Sequence, residues 1–350
     1  MLITFAIMKF VNLEYSALLR GKGKFEASSK ARNDVITFFK NKYKKIEYIP
    51  IYRHTEHKVF GVLEFMFQWI YILLRFKSRS ICFIQYPMVN LRPFKMFSFL
   101  FSRLKIIALI HDLPSYRFSD DPKEIKEEID LLNKMSGIIV HSKAMEKRLK
   151  MDGLKIPTSI LNVFDYLLPV EQEIRFKKNV VVFAGALQKS LFLRELHQCP
   201  SDNISYNLYG GIKPDIVETE KIHYKGKFVP DNISDIEGEW GLLWDGNSIN
   251  SCEGNYGRYL EIIAPHKLSL YIACKLKIIV WVGSAMADLV KKKNIGITIG
   301  SLYEVDSKIM SLSESQLKII EENISILSEE LREGKMFERA FSSIKEIFGE

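Results

Sequence analysis

A lysine in the first turn of a predicted helix is the residue whose position most clearly suggests chemistry. Lys267 follows Pro265 and His266 at the start of the apolar helical stretch 265–275. A helix N-terminus carries unpaired N–H groups and a partial positive charge, so it attracts phosphate, whereas a cation there opposes the helix dipole. An anion held between the lysine and the N–H groups would remove that conflict. The pattern predicts a diphosphate site, with a solvent-facing lysine as the alternative.

A second set of polar residues is predicted to face an acceptor substrate, a molecule whose hydroxyl group would take part in the reaction. His111 and Asp112 follow the apolar run IIALI, and a carboxylate at the end of a buried strand could act as general base on an acceptor hydroxyl. Asp112 could equally cap the following turn. Ser28 and Ser29 open a predicted helix and either cap it or present hydroxyl groups to a cleft, with Lys30 beside them.

Signature motifs of several other chemistries do not occur in the sequence. There is no D-x-D, no H-E-x-x-H, no P-loop, no G-x-G-x-x-G and no G-x-S-x-G, so neither a metal site nor a bound cofactor is predicted. Without a metal, charge on a leaving group must be stabilised by Lys, Arg and helix N-termini. Lys267, Lys189 and Arg258 are the candidates for that role.

The charge of the chain is unevenly distributed. Residues 1–110 contain 19 Lys or Arg and 6 Asp or Glu, a formal charge of +13, although the whole chain carries only +8. A basic first part indicates an anionic partner, such as a membrane surface, a phosphate-bearing acceptor or a nucleic acid, or simply a solvated basic surface. No nucleic acid is expected, because no recognised module is present and the aromatic residues lie in apolar runs away from the charges.

The cysteines and the apolar segments bear on the compartment. Four cysteines lack C-x-x-C or zinc-site spacing, which is typical of reduced cysteines in a cytosolic protein. The first ten residues are better explained as a strand than as a signal peptide. The apolar stretch 59–76 contains Glu64 and Gln68 and favours a buried or interfacial helix over a spanning one. We expect a cytoplasmic protein, with peripheral contact at the inner face of the membrane and homo-oligomerisation both left open.

Short apolar runs alternate with longer helix-period segments, which is typical of parallel sheets covered by helices. The first strand is predicted at 2–8, a helix at 92–103, and a break in the alternation at 162–178 before it restarts. The sequence thus predicts an α/β protein with two Rossmann-like domains that face each other across a cleft. The acceptor-binding domain is assigned to residues 1–165 and the donor-binding domain to 166–335, with a last helix, 336–350, able to pack back on the first domain.

Three patches of sequence resemble one family. They are N-Y-G-x-Y at 255–259 followed by P-H-K-L-S-L-Y-I-A and I-I-V-W, F-E-A-S-S-K-A-R-N-D-V at 25–35, and I-H-D at 110–112. This combination resembles bacterial GT-B glycosyltransferases that build surface polysaccharides and adhesin glycans. The group includes β-1,6-galactofuranosyltransferases of O-antigen synthesis and streptococcal glucosyltransferases that extend N-acetylglucosamine. GT-B denotes two Rossmann-like domains that face each other across a cleft.

The resemblance implies metal-independent, inverting transfer of galactofuranose or glucose from a UDP-sugar to a hydroxyl of a glycan. The acceptor would be a lipid-linked oligosaccharide or a glycoprotein. A catalytically inactive GT-B-like partner that stabilises an active glycosyltransferase is the alternative. Phe228 stands where relatives can have a tyrosine that stacks on the base. The donor-binding set implied is Lys267, His266, Lys189, Gly185, Arg258, Asn255, Tyr256 and Phe228.

Overall fold

The computed structural model describes residues 8–15, 27–43, 47–53, 58–75, 81–87, 105–168, 172–199, 201–211 and 215–348. Within these ranges the strands form two six-stranded sheets in which neighbouring strands pair in parallel. Helices cover both sheets, so the predicted α/β class with two Rossmann-like domains is confirmed.

The first sheet has the strand order β2-β1-β3-β4-β5-β6. Its central strands β3 and β4 are almost entirely buried, as expected for parallel strands covered by helices on both faces. The six strands of this sheet are β1 Met8–Tyr15, β2 Glu47–Arg53, β3 Ile81–Tyr86, β4 Lys105–Ile110, β5 Gly137–Val140 and β6 Thr158–Ile160.

The second sheet has the order β12-β11-β10-β7-β8-β9. The direction in which strands are added reverses between β10 and β7, and such a reversal opens a crevice at the carboxyl ends of the two strands. The six strands of this sheet are β7 Arg175–Ala184, β8 Ser205–Tyr209, β9 Ile222–Gly226, β10 Glu237–Leu243, β11 Lys277–Trp281 and β12 Gly296–Ile299.

Ten α-helices are described in these ranges, and three buried apolar clusters follow from how they cover the sheets. One cluster lies beneath α2, α3 and α4 on the first sheet, one lies on the outer face of the second sheet, and the third is continuous between the two sheets. The helices are α1 Ala27–Lys42, α2 Lys58–Arg75, α3 Pro122–Leu132, α4 Lys143–Met151, α5 Gly254–Tyr259, α6 His266–Ala273, α7 Ala287–Lys293, α8 Val305–Met310, α9 Glu314–Arg332 and α10 Lys335–Ile347.

Some element boundaries differ from the prediction. The first described strand, β1, starts at Met8, where the predicted strand 2–8 ends, and residues 1–7 lie outside the described ranges, as does the predicted helix 92–103. Helix α5 was not predicted, because its six residues are too short to display a helical period. The strand β6 was not predicted either, because its three residues are too few to display the alternation of a strand.

The C-terminal helix α10 crosses back to the first sheet. Phe337 and Phe341 are buried, and their rings lie 5.4–5.7 Å from the ring of Phe83 in β3. The Asp165 carboxylate accepts the N–H groups of Met336 and Phe337 at the start of α10, at 3.0 and 2.7 Å. The chain segment that connects the two sheets therefore also anchors the final helix.

Among the helices of the described ranges, none combines the length and the apolar character needed to cross a bilayer.

We expect Phe341→Ala to lower the free energy of unfolding by about 3–5 kcal/mol, because it leaves a cavity among rings that are fully buried. Urea unfolding followed by circular dichroism measures this loss. The matched control is Ile347→Ala on the same helix, where the side chain is 50% exposed and the loss should stay below about 1 kcal/mol. Equal losses in the two variants would show that α10 is not packed on the first sheet.

Candidate active site

The carboxyl ends of the two sheets lie against each other. In the first sheet β4 leads into His111 and Asp112, while in the second sheet β7 leads into Gly185 and β10 into Asp245. The Tyr259 hydroxyl of the second domain lies 2.7 Å from the Asp112 carboxylate of the first. Ligands of open α/β sheets bind at these strand ends, so the space between them is the candidate active site.

Lys267 lies at the switch point of the second sheet. Its ammonium donates to the carbonyl of Trp244 at 3.0 Å and to the Asp245 carboxylate at 3.2 Å, and it lies 4.5 Å above the ring of Phe183. The side chain is only 13% exposed, so it does not extend over the outer surface. Among the described residues, no side chain caps the N-terminus of α6. A cation and a helix N-terminus therefore coincide at the strand ends.

Asp245 connects Lys267 to the turn after β7. Its other carboxylate oxygen accepts from the Ser190 hydroxyl at 3.2 Å, and Ser190 directly follows Lys189. The Lys189 ammonium lies 5.7 Å from the ring centre of Tyr256 in α5. Three predicted donor contacts, Lys267, Lys189 and Tyr256, are thus brought into one region of the cleft.

The carboxylate of Asp112 is held by groups from both domains. One oxygen accepts from the Tyr259 hydroxyl at 2.7 Å and from the Leu113 N–H at 3.1 Å, and the other forms an ion pair with Arg117. Burial raises the pKa of Tyr259 well above its usual value, and the nearby Asp112 carboxylate raises it further. Tyr259 therefore stays protonated and donates to Asp112.

The N-Y-G-R-Y motif forms α5, which lies against the first domain. The Asn255 amide donates to the carbonyl of Phe118 at 3.2 Å and accepts from Arg258 at 2.9 Å. The Arg117 guanidinium lies over the rings of Phe118 and Tyr256, at 5.2 and 5.7 Å. Arg117 therefore contacts both the candidate base and the motif of the other domain.

Three histidines surround the ring of Phe164 in the segment that joins the sheets. His111 stacks on that ring at 5.1 Å, and its Nε2 lies 2.6 Å from the Gln85 side chain. Burial, and then the positive charge of Arg32, holds the pKa of His111 well below its usual value. His111 is therefore neutral near pH 7, and it lies directly beside Asp112.

His141 forms hydrogen bonds to both domains. Its Nε2 lies 2.9 Å from the Ile110 carbonyl, and its Nδ1 lies 3.3 Å from the N–H of Ala264. A carbonyl only accepts and an amide N–H only donates, so the ring carries its proton on Nε2. Burial lowers the pKa of His141 to about 4, which preserves this neutral form.

His266 lies in the same junction. Its ring stacks on Tyr166 at 5.2 Å, and its Nε2 is buried and has no hydrogen-bond partner among the described residues. Burial, and then the charge of Lys30, lowers the pKa of His266 to about 3. The predicted contact of this residue with the donor stays a prediction.

The residues predicted to bind the acceptor lie on α1. Lys30 is buried and forms ion pairs with Asp34 and, at 3.0 Å, with Asp231 of the second domain, so an acceptor would compete with both carboxylates. Ser29 is half-buried on the same helix. The side chain of Ser28 lies outside the described part of the chain.

Two further predicted donor contacts lie at the carboxyl edge of the second sheet. Gly185 follows β7, and a Cβ added there would meet open space, so its backbone is accessible from the cleft. Phe228 is half-buried, and its ring lies edge-on to that of Tyr209 at the end of β8, at 6.0 Å. Phe228 therefore contacts the end of β8, whereas Lys267 contacts β7 and the residues that follow β10.

Three residues of the cleft were not predicted: Tyr259, Arg117 and Asp245. A signal existed for Tyr259, since it is the last residue of the N-Y-G-x-Y patch at 255–259. A signal also existed for Asp245, which directly follows the apolar run GLLW. Asp112 has a similar position, two residues after the apolar run IIALI. Arg117 carried no such signal, because it belongs to a π-helical turn, Ser115–Ser119, that has no pattern of its own.

Two parallel-sheet domains with a shared cleft at their carboxyl ends form the GT-B fold. Two models of one family match the chain, the glucosyltransferase 3-like N-terminal domain over residues 13–163 and the C-terminal domain over residues 181–344. The chain belongs to the glucosyltransferase 3-like family.

Individual relatives agree with this family. The chain is 28% identical over 273 residues to β-1,6-galactofuranosyltransferase WbbI of Escherichia coli, covering 75% of this chain and 78% of that protein. It is 24% identical to glucosyltransferase 3 of Streptococcus gordonii, covering 66% and 67%. Its fold is similar to that of the sucrose-phosphate synthase of Thermosynechococcus elongatus, with a TM-score of 0.54, 10% identity and coverage of 97% of this chain and 100% of that one.

Acidification should destabilise the domain junction through His266. The folded-state pKa of about 3 lies below the usual value near 6.5, so the unfolded chain binds the proton more readily and stability falls as pH drops through that interval. Between pH 7 and pH 5 this costs about 2 kcal/mol. His266→Phe removes the titrating group, so the variant should lose about that much less than wild type over this range.

Urea unfolding at the two pH values measures the difference. The control is His197→Gln, since His197 is exposed and this variant should follow the wild-type pH dependence. A His266→Phe variant that also loses stability in parallel with wild type would mean that this ring is not buried as a neutral group.

Proposed function

We propose that this glycosyltransferase moves a hexose, galactofuranose or glucose, from a UDP-sugar to a hydroxyl of a glycan acceptor. The observation that carries the proposal is the position of Lys267, at the head of α6 and at the switch point of the second sheet. An ammonium and a helix N-terminus at this crevice suit a diphosphate. Galactofuranose is the first candidate because the similar WbbI protein transfers it, and glucose is the second.

The cations of the cleft would stabilise the charge that develops on the departing UDP. Lys267 and Lys189 are connected through Ser190 and Asp245, and Arg258 lies on the neighbouring α5. Fixed cations in a partly water-excluded cleft stabilise a leaving diphosphate without a metal. We therefore propose metal-independent transfer that needs no cofactor besides the donor.

Calorimetry with UDP should give the same affinity with and without EDTA, and loss of binding in EDTA would refute metal independence.

Asp112 is the proposed general base in an inverting reaction. It would take the proton of the acceptor hydroxyl while that oxygen attacks the anomeric carbon and the bond from this carbon to UDP breaks. Asp112 belongs to the first domain, yet it accepts from Tyr259 of the second, so its carboxylate lies at the seam where donor and acceptor would meet. The acceptor hydroxyl would replace one of its present donors.

The acceptor and the cellular location of the reaction are inferred from the charge and the cysteines of the chain, not from a contact in the cleft. A lipid-linked oligosaccharide or a glycoprotein glycan is the proposed acceptor, in keeping with the basic first domain. Cys199, Cys252 and Cys274 are buried free thiols, which suits a reducing compartment. We place the reaction in the cytoplasm.

Lys267→Ala should weaken UDP binding and slow transfer, with a loss of about 2–4 kcal/mol in transition-state stabilisation. Release of UDP from a panel of UDP-sugars, supplied with acceptor glycans, measures transfer, and calorimetry measures binding. Lys291→Ala is the matched control, because Lys291 is exposed in the last turn of α7, at the opposite end of that helix from the cleft. Wild-type turnover in Lys267→Ala would remove this lysine from the mechanism.

Asp112→Asn should leave UDP binding intact and lower turnover by about 10²–10⁴-fold, since the amide oxygen can still accept from Tyr259 but cannot take a proton. Turnover and calorimetry on the same preparation separate the two effects. Asp130→Asn, at an exposed position of α3, serves as the control. An unchanged turnover in Asp112→Asn would exclude Asp112 as the base.

A further inference from the structure

Helix α2 exposes a continuous apolar stripe. Five apolar residues of this helix are exposed, and the two most exposed are Phe67 at 70% and Leu74 at 82%. The five are Val59, Leu63, Phe67, Ile70 and Leu74. Their spacings of three and four residues place them on one face of the helix. From Val59 to Leu74 this stripe is about 23 Å long.

The face of α2 that carries Trp69 fixes how the helix is oriented. Trp69 is fully buried in the apolar cluster on the first sheet, and Met66, at the edge of the exposed stripe, is partly buried against the same cluster. Because that face is already occupied by the domain, the exposed stripe points away from the protein. The helix therefore lies along the domain surface with its apolar stripe outward.

The charges around α2 indicate which partner the stripe fits. The helix begins at Lys58 and ends at Arg75, and Glu64 is its one acidic residue. It belongs to the part of the chain, residues 1–110, that carries a formal charge of +13. Apolar side chains flanked by basic residues are complementary to a surface that is apolar beneath a layer of negative charge, which an anionic bilayer provides.

We propose that α2 docks the first domain on an anionic lipid surface. The helix lies in the plane of the surface, the apolar stripe enters the boundary between headgroups and acyl chains, and the positive net charge of residues 1–110 attracts the domain to the anionic headgroups. Docking of this kind uses no residue of the cleft. It is measured without donor or acceptor, so it stands or falls independently of the proposed transfer reaction.

Co-sedimentation of the full-length protein with vesicles tests the proposal. We expect binding to vesicles of mixed phosphatidylcholine and phosphatidylglycerol, weaker binding to phosphatidylcholine alone, and partial release by salt. The double variant Phe67→Ser/Leu74→Ser should lower the partition coefficient by about tenfold or more, because it removes the two most exposed apolar groups of the stripe.

The matched control is Ile326→Ser on α9, which removes a side chain that is also strongly exposed, at 62%, but lies in the other domain. This variant should bind vesicles as wild type does, and circular dichroism should show that all variants remain folded. Absence of wild-type binding to anionic vesicles, or equal binding of the double variant, would overturn the proposal. Size-exclusion chromatography with light scattering identifies the competing occupant: a dimer that the double variant dissociates, without vesicle binding, would assign the stripe to a second copy of this chain.

Discussion

The arrangement of the cleft depends on hydrogen bonds that cross between the domains at the carboxyl ends of their strands. His141 accepts the N–H of Ala264, the Ser142 hydroxyl donates to the Ile262 carbonyl at 2.6 Å, and the Tyr259 hydroxyl donates to Asp112. The groups are largely buried, so breaking such a bond without a substitute leaves a desolvated polar atom. These bonds set the position of the candidate base relative to the lysine at the switch point.

One stretch of sequence supplies both the junction and the proposed donor site. Residues 255–264 provide several of the contacts to the first domain, and Lys267 follows within one helical turn. A shift of α5 against the first domain would therefore move the head of α6 with it. This coupling gives a physical reason for the density of motif residues here, since each must satisfy a partner in the other domain as well as face the cleft. Arg117 completes the coupling because it pairs with Asp112 and lies over Tyr256.

Much of the fold could be predicted from the sequence, because long buried strands and amphipathic helices display their periods directly. The end of β4 before His111 and the placement of Lys267 at a helix head are examples. The partners of these residues could not be predicted, because they come from distant parts of the chain. Tyr259 meets Asp112 across 147 residues of sequence, and Lys30 meets Asp231 across the domain seam. The pattern of residues within one segment does not indicate which residue of a distant segment each side chain will contact.

Two candidate residues of the reaction, Lys267 and Asp112, are already paired with a group of opposite charge. Lys267 is paired with Asp245, and Asp112 is paired with Arg117. Such pairs hold side chains in one position, which lowers the cost of ordering them when substrate binds, but each partner also competes with the substrate. A diphosphate that approaches Lys267 meets the Asp245 carboxylate as well, so a weakly charged ligand gains little there. The same argument applies to Asp112: in the proposed reaction it would be an effective base only if Arg117 turned from it toward the charge that develops on the departing UDP.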